Sequence, residues 1–357
     1  MVRVRLDVGG WHVVVTGEHA VLPEGMTHLP DRAFRMRTTL VSVAFPHSLV
    51  SIGSCAFHSC SALASVALPA GLTSVGDGAF YHCSALASVN LPAGLTSIGQ
   101  QAFDGCSALA SINLSAGLTS IGSSASVTSI GDRAFSGCST LANVALPASV
   151  TSIGDSAFSR CSALASISLP AGLTSIGKHA FWGCFALSSV DLPVGLTSIG
   201  NYAFCGCTSL RSITLPAGLR SIGQEAFKGC SALARVAFPA GLRSIGFCAF
   251  ADCSALARVT FPAGLTSIGQ QAFYRCTSLA SISLPGGLTS IGWHAFSSCS
   301  ALAHVTVPTT AKFDASAFFT DTVVLRLPPA KMRTLKRWYE AVDLARLERL
   351  GWRGAQA

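Results

Sequence analysis

Cysteine is the residue type whose spacing in this chain most invites a chemical reading. Cys60, Cys83 and Cys106 are followed by Cys138, Cys161, Cys184, Cys207, Cys230, Cys253, Cys276 and Cys299, at steps of 23 residues except for one step of 32 after Cys106. Ordered thiols could hold a metal, exchange disulfides or act as nucleophiles. Zinc sites draw on close pairs such as C-x2-C, and a period of 23 supplies none. The C-x-C at Cys205-Gly206-Cys207 has no second pair beside it and no histidines at a matching spacing. A bridge between neighbouring thiols would need a specific side-chain geometry. The expectation is therefore a stack of small, buried, reduced side chains, with no metal and no cofactor.

Other catalytic signatures are missing. His58, His82, His179, His294 and His304 fall in different places within the period, whereas a Ser-His-Asp triad must gather three groups at one point. Serine is abundant but sits at regular spacer positions. No G-x-S-x-G, Walker loop or dinucleotide fingerprint occurs, and paired carboxylates are scarce. The chain is not expected to be an enzyme.

What must position these residues is a tandem repeat. Three residues before each of those cysteines stands a phenylalanine, from Phe57 to Phe296, with Phe34 extending the series backward and Phe319 forward. The unit is Leu-Pro-Ala-Gly-Leu-Thr-Ser-Ile-Gly-x-x-Ala-Phe-x-x-Cys-Ser-Ala-Leu-Ala-Ser-Val-x, nearly clean from Leu68 to Asn90. The long step holds an insertion near 118–126, where Leu118-Thr-Ser-Ile-Gly122 is echoed by Val127-Thr-Ser-Ile-Gly131. One echo is expected to leave the stack as a bulge.

Within one unit, Val66 and Leu68 share a strand face, and Pro69 closes the strand. Leu72-Thr-Ser-Val75 reads as a second short strand, stopped by Gly76. Asp77, with Asp132, Asp155 and Asn201 at the same position, reads as a helix N-cap, and Ala79, Phe80 and Cys83 as one side of about two helical turns. A single 23-residue unit is too small to fold alone and must stack on its neighbours. The fold class is a repeat solenoid, a leucine-rich-repeat right-handed superhelix of about thirteen coils with parallel β-strands, short helical turns and terminal caps. Residues 1–21, with two β-rich runs around Gly9-Gly10, form an N-terminal hairpin cap. Residues 22–328 form the solenoid. Residues 329–357 form a basic C-terminal helix, with Met332, Leu335, Tyr339, Val342 and Leu347 as its apolar stripe.

The Ser-Ile-Gly-x-x-Ala-Phe-x-x-Cys-Ser-x-Leu core, as from Ser97 to Leu109, resembles the BspA-like leucine-rich repeat family over roughly Leu22 to Pro328. The resemblance implies surface adhesins of bacteria and protists among its relatives. It carries no site residues over, because the shared motif is the core itself.

Charge and the variable positions bear on partners. Net charge is +8, and the last 27 residues hold seven basic against three acidic side chains, so the preceding 330 carry only +4. That is too thin for a dedicated nucleic-acid surface. No apolar run is long enough to span a bilayer, and no secretory signal is read at the N-terminus. The expected setting is cytoplasmic, or the cell surface if the N-terminus is truncated, and the expected state is monomeric. Candidate binding residues are the arginine columns Arg235 and Arg258 with His304, and Arg220 with Arg243, which suit an acidic partner. The variable-position aromatics Tyr81, Trp182, Tyr202, Phe247, Tyr274 and Trp293 form a second set. The expected function is a non-catalytic scaffold for protein–protein interaction, with a surface adhesin or carbohydrate-binding protein as the alternative.

Overall fold

The computed structural model of the chain describes residues 3–114, 120–121 and 129–332. The 23-residue unit folds as one coil of a parallel solenoid, and each position in the unit becomes a column along the axis. Two columns are strands. In the first, Ser65–Ala67 pairs with Ser88–Asn90, residue against equivalent residue. In the second, Ser51–Ile52, Ser74–Val75 and Ser97–Ile98 pair in the same register. In Ser65–Ala67 and Ser88–Asn90 the central valine is buried and its two neighbours are exposed, and in Ser51–Ile52, Ser74–Val75 and Ser97–Ile98 the second residue is buried.

Phenylalanine forms the spine. Phe34, Phe57, Phe80, Phe103 and Phe135 stack in turn, with ring planes within 8° of parallel and centroids 5.2–5.8 Å apart. The stack continues through Phe158, Phe181, Phe204, Phe227, Phe250, Phe273 and Phe296. It ends on Phe318, not on Phe319 as the 23-residue count predicts; the last coil is one residue short, and Phe318 stacks on Phe296 at 5.4 Å. Offset parallel rings at this separation are a favourable aromatic geometry. Leucine, alanine and cysteine columns close around them, all but solvent-free.

The expected helical turns are replaced by another device. In the coil from Gly76 to Leu86, Ala79, Tyr81, Cys83 and Leu86 each donate a backbone N–H three residues back, to Gly76, Gly78, Phe80 and Cys83. The alternate amides, on Gly78, Phe80 and His82, donate to Gln100, Ala102 and Asp104 of the next coil. An α-helix would satisfy all of these within itself. Here left-handed residues, Gly78 at φ 58° and His82 at φ 55°, flip every second peptide outward, giving a run of overlapping turns. Asp77 is accordingly no N-cap. Its Oδ1 accepts the Gln100 N–H at 2.7 Å, and Asp31, Asp132, Asp155 and Asn201 do the same for the coil that follows each. Among the described residues, the one 3-10 helix is Ala315–Ala317, capped by Asp314.

The repeat glycine is where coils approach most closely. A Cβ on Gly76 would stand 2.6 Å from the Ser54 nitrogen, well inside contact distance. The same conflict with the preceding coil recurs at Gly53, Gly154, Gly177, Gly200, Gly246 and Gly292.

Neither echo of the insertion leaves its ladder. Ser120–Ile121 pairs with Ser97–Ile98, and Ser129–Ile130 pairs with Ser152–Ile153. The first strand column and the phenylalanine column step directly across, Ser111 to Asn143 and Phe103 to Phe135. One side of the solenoid thus carries an additional strand, and the Phe103–Phe135 gap of 5.8 Å is the widest in the spine. At this irregularity Asp104, buried, receives the Arg133 Nε at 3.0 Å. The linking residues 122–128 lie outside the described residues.

At the N-terminus Arg3–Val8 and Trp11–Thr16 form an antiparallel hairpin. His19–Val21 adds to it and then pairs parallel with Ser42–Ala44, so the hairpin runs into the first strand column. At the other end His304–Pro308 pairs with Val323–Leu327, and the Arg326 guanidinium donates to the Thr309 and Ala311 carbonyls. Pro329 to Met332 begin a helical turn with Met332 buried; the remainder of the proposed basic helix lies outside the described residues. Among the described residues no helix is long and apolar enough to cross a membrane.

Truncating the spine tests this packing. Phe181→Ala removes a fully buried ring flanked by Phe158 and Phe204. Urea unfolding followed by circular dichroism is expected to register a loss of about 3–5 kcal/mol. A loss below ~1 kcal/mol would mean the ring is not packed between its neighbours.

Candidate binding faces

Each of the eleven ladder cysteines points inward and donates its S–H to the carbonyl of the phenylalanine in the preceding coil. Cys60 bonds Phe34 O at 3.0 Å, Cys83 bonds Phe57 O at 3.1 Å, and the pattern holds to Cys299 on Phe273 O. Burial drives the Cys60 thiol up to about 11 and the Cys184 thiol up to about 12, from an ordinary 9.0. A thiol so protonated and enclosed is a poor nucleophile and a poor ligand. Cys205 and Cys207 point to opposite sides. Cys207 binds Phe181 O inside, while Cys205 is half-buried on the outer face, so the C-x-C closes no common site. Among the described residues no cluster of metal-ligating side chains forms.

The histidines disperse as their positions imply. His58 stacks on Tyr81 at 4.8 Å and His179 on Tyr202 at 4.7 Å. Two others meet serines that sequence reasoning overlooked. His28 Nδ1 lies 2.6 Å from Ser51 Oγ, and His19 Nδ1 lies 2.7 Å from Ser42 Oγ. The available signal was numerical, since each pair is separated by the repeat length of 23. His28 and Ser51 line an open groove of about 440 Å³ with Asp31, Asp77, Ser74 and Ser97. Asp31 spends Oδ1 on the Ser54 N–H. The pair is oriented by the strand register alone.

The candidate binding residues separate onto two faces. Arg235 and Arg258 are exposed on strands Arg235–Ala237 and Arg258–Thr260, where other coils carry serine. His304 holds the same place in the last coils. Arg220 and Arg243 occupy a threonine column. There Thr73, Thr96 and Thr174 each cap a carbonyl of the preceding coil. The arginines reach the other way, Arg220 Nη1 to Gly241 O at 3.4 Å and Arg243 Nη1 to Gly264 O at 3.0 Å. Both columns flank the Pro-Ala-Gly corner of the coil.

The aromatics lie on the turn face instead. Trp182 is half-buried beneath Arg160, whose guanidinium carbon is 4.8 Å from the ring centre. The Tyr202 hydroxyl accepts from Gln224 Nε2 at 2.8 Å. Tyr274 packs with Arg275 at 5.2 Å, and Tyr81 lies between His58 and His82. Phe247 is 38% and Trp293 63% exposed. Phe185, 54% exposed, belongs to this face and was missed; it replaces the serine that follows the ladder cysteine. Its ring lies beside Gly183 and Gly206.

Comparison with known proteins agrees with this architecture. The family profile described as "BspA type Leucine rich repeat region (6 copies)" matches residues 27–127, 117–215 and 197–324. A leucine-rich repeat protein from Bacteroides ovatus is 26% identical, with a TM-score of 0.59 over 91% of this chain and 98% of that one. A leucine rich cell surface protein from Faecalibacterium prausnitzii is 27% identical, with a TM-score of 0.56 over 90% and 98%. A leucine-rich repeat protein from Eubacterium ventriosum shares the fold at 19% identity, with a TM-score of 0.52 over 92% and 97%. No curated protein matches the chain.

The thiol column makes stability sensitive to alkali. The folded thiols ionise above the unfolded ones, so their contribution is complete below the ordinary thiol value of 9.0 and is lost progressively above it, for Cys60 as pH rises through about 11 and for the more deeply buried thiols at higher pH still. The urea midpoint is expected to hold steady between roughly pH 6 and 8 and to fall steadily above roughly pH 9. A midpoint unchanged up to roughly pH 11 would place the thiols in contact with water.

Proposed function

Because the chain belongs to the BspA-type leucine-rich repeat family, we propose that it is a non-catalytic scaffold that recognises protein partners through its turn face. The observation that carries this reading is the division of labour within the coil. Core positions repeat almost unchanged, while the turn positions vary and set Trp182, Phe185, Phe247 and Trp293 at the surface. Partly exposed aromatics on a rigid backbone lose little entropy on contact and are enriched among binding hot spots. The ladder thiols, which could have argued for catalysis, are held in hydrogen bonds, and His58 and His179 in ring stacks.

The expected cytoplasmic setting is supported by the thiol column, whose hydrogen bonds require reduced cysteine. A second reading is favoured by a specific neighbour, the Faecalibacterium protein described as a cell surface protein. On that reading the same face would meet partners outside the cell. Fractionation of the native cell separates the two.

The test is affinity capture by the purified chain, with bound proteins identified by mass spectrometry. A small reproducible set is expected, and Trp182→Ala with Trp293→Ala should weaken its retention about tenfold or more. No reproducible partner would remove the scaffold reading. Undiminished capture by the double variant would remove the turn face as its surface.

A further inference from the structure

The first strand column ends in an open edge. Its last strand, Val323–Leu327, pairs in parallel with His304–Pro308. The Val323 N–H donates to Ala303 O, and Leu327 O accepts from the Thr309 N–H. In a parallel ladder such bonds come from alternate residues, so 323, 325 and 327 spend their backbone groups on that neighbour. The N–H and C=O of Val324 and Arg326 face away from the solenoid, and among the described residues nothing pairs with them.

The side chains add to this. Val323 is 50% and Leu325 56% exposed, where the preceding strand carries His304 and Thr306. The strand's one charged side chain, Arg326, is turned back onto its own coil, over the Phe313 ring and onto the Thr309 and Ala311 carbonyls. The outer row of Val323, Leu325 and Leu327 is therefore apolar throughout. The other end of the column is built differently: its edge strand, Arg3–Val8, alternates Arg3, Arg5 and Asp7 with apolar residues. Charges of that kind blunt an edge against pairing, and the last strand has none in its outer row.

We propose that this edge is occupied by the same strand of a second copy, so that two chains join tail to tail about a twofold axis through Leu325. The segment is complementary to itself in the antiparallel sense. With Leu325 opposite its own equivalent, Val324 comes opposite Arg326 in both directions. These are the residues whose backbone groups are free, and each such pair exchanges both its hydrogen bonds. Leu325 then meets Leu325 in a close, non-hydrogen-bonded pair, and Val323 meets Leu327, which takes the outer row of both copies out of water. The neighbouring registers fail. One sets Arg326 against Thr322, whose N–H is spent on Phe319 O, and the other sets Val324 against Pro328, which has no N–H. In the symmetric register Asp321, exposed ahead of the strand, falls at the end of its counterpart that carries the exposed Lys331, an attractive pairing of charge. The edge lies apart from the turn-face aromatics, and the inference does not rest on the scaffold reading.

Sedimentation velocity of the full chain over roughly 1–200 µM tests it, because a strand-sized interface sits at the weak end of protein association. The sedimentation coefficient is expected to rise with concentration to that of a dimer and no further. Leu325→Lys sets like charges against each other at the axis and should weaken association about tenfold or more. Val194→Lys, at an exposed apolar residue in a distant coil, should leave association unchanged. Circular dichroism checks the fold of each. Cross-linking reads the register. Leu325→Cys should form a disulfide between copies under mild oxidant, its Cα atoms standing ~4.5 Å apart, whereas Val323→Cys, ~13 Å from its equivalent, should not. A single chain mass at every concentration would overturn the proposal and leave the edge to residues 333–357 of the same chain or to a different protein. Species growing beyond the dimer would overturn it in favour of head-to-tail addition. Undiminished association of Leu325→Lys, or cross-linking of Val323→Cys as readily as Leu325→Cys, would count equally against it.

Discussion

Every coil leaves alternate amides of its turn segment aimed at the next coil, and the positions they reach must offer carbonyls in the same order. The Gly78, Phe80 and His82 N–H groups find Gln100, Ala102 and Asp104. Buried amides left unpaired would be costly, so the coils are held in register and each residue type is laid upon itself. From this single constraint follow the phenylalanine spine, the thiol column and the narrow approach at Gly76. Phenylalanine tolerates self-stacking because offset rings attract. Cysteine tolerates it because each S–H serves the phenylalanine carbonyl one coil back.

The same constraint limits the chemistry available. A catalytic centre gathers unlike groups at one point, whereas a register-locked repeat places like beside like. Chemical variety arises only where a variable position departs from its column, as at Trp293 or Arg235, or where two columns meet at a corner. That is why the variable positions form extended faces. The additional strand at Ser120–Ile121 shows how far the register can be strained: one ladder gains a strand, while the spine opens only to 5.8 Å.

The solenoid was legible in the sequence because a buried column leaves a fixed residue every 23 positions. The turn segment was misread as helix for a physical reason. Ala79, Phe80 and Cys83 face one side of a helix, and they equally face one side of successive turns. The discriminating feature is the left-handed backbone at variable positions, including Cys55, His179 and Tyr202, residues that do not advertise it. Asp77 was read as a helix N-cap; its carboxylate does accept a backbone N–H, but that amide belongs to the neighbouring coil and no helix starts there. Phe319 was chosen over Phe318 by counting, and the shortened last coil overrode the count. The arginine and aromatic candidates were visible as departures from the repeat. Their separation onto two faces was not, because it depends on which way each turn carries the chain.

The most direct measurement of the in-register stack is disulfide trapping across paired positions. Ser166 and Ser189 are register partners on neighbouring coils. Cα atoms at strand spacing, ~4.8 Å, fall within bridging range, whereas a two-residue offset lies ~8 Å away and outside it. Ser166→Cys with Ser189→Cys is predicted to cross-link rapidly under mild oxidant, as read by peptide mass spectrometry. Ser166→Cys with Asp191→Cys is predicted to remain reduced. Equal cross-linking of the two pairs, or trapping of the offset pair alone, would contradict like-on-like stacking.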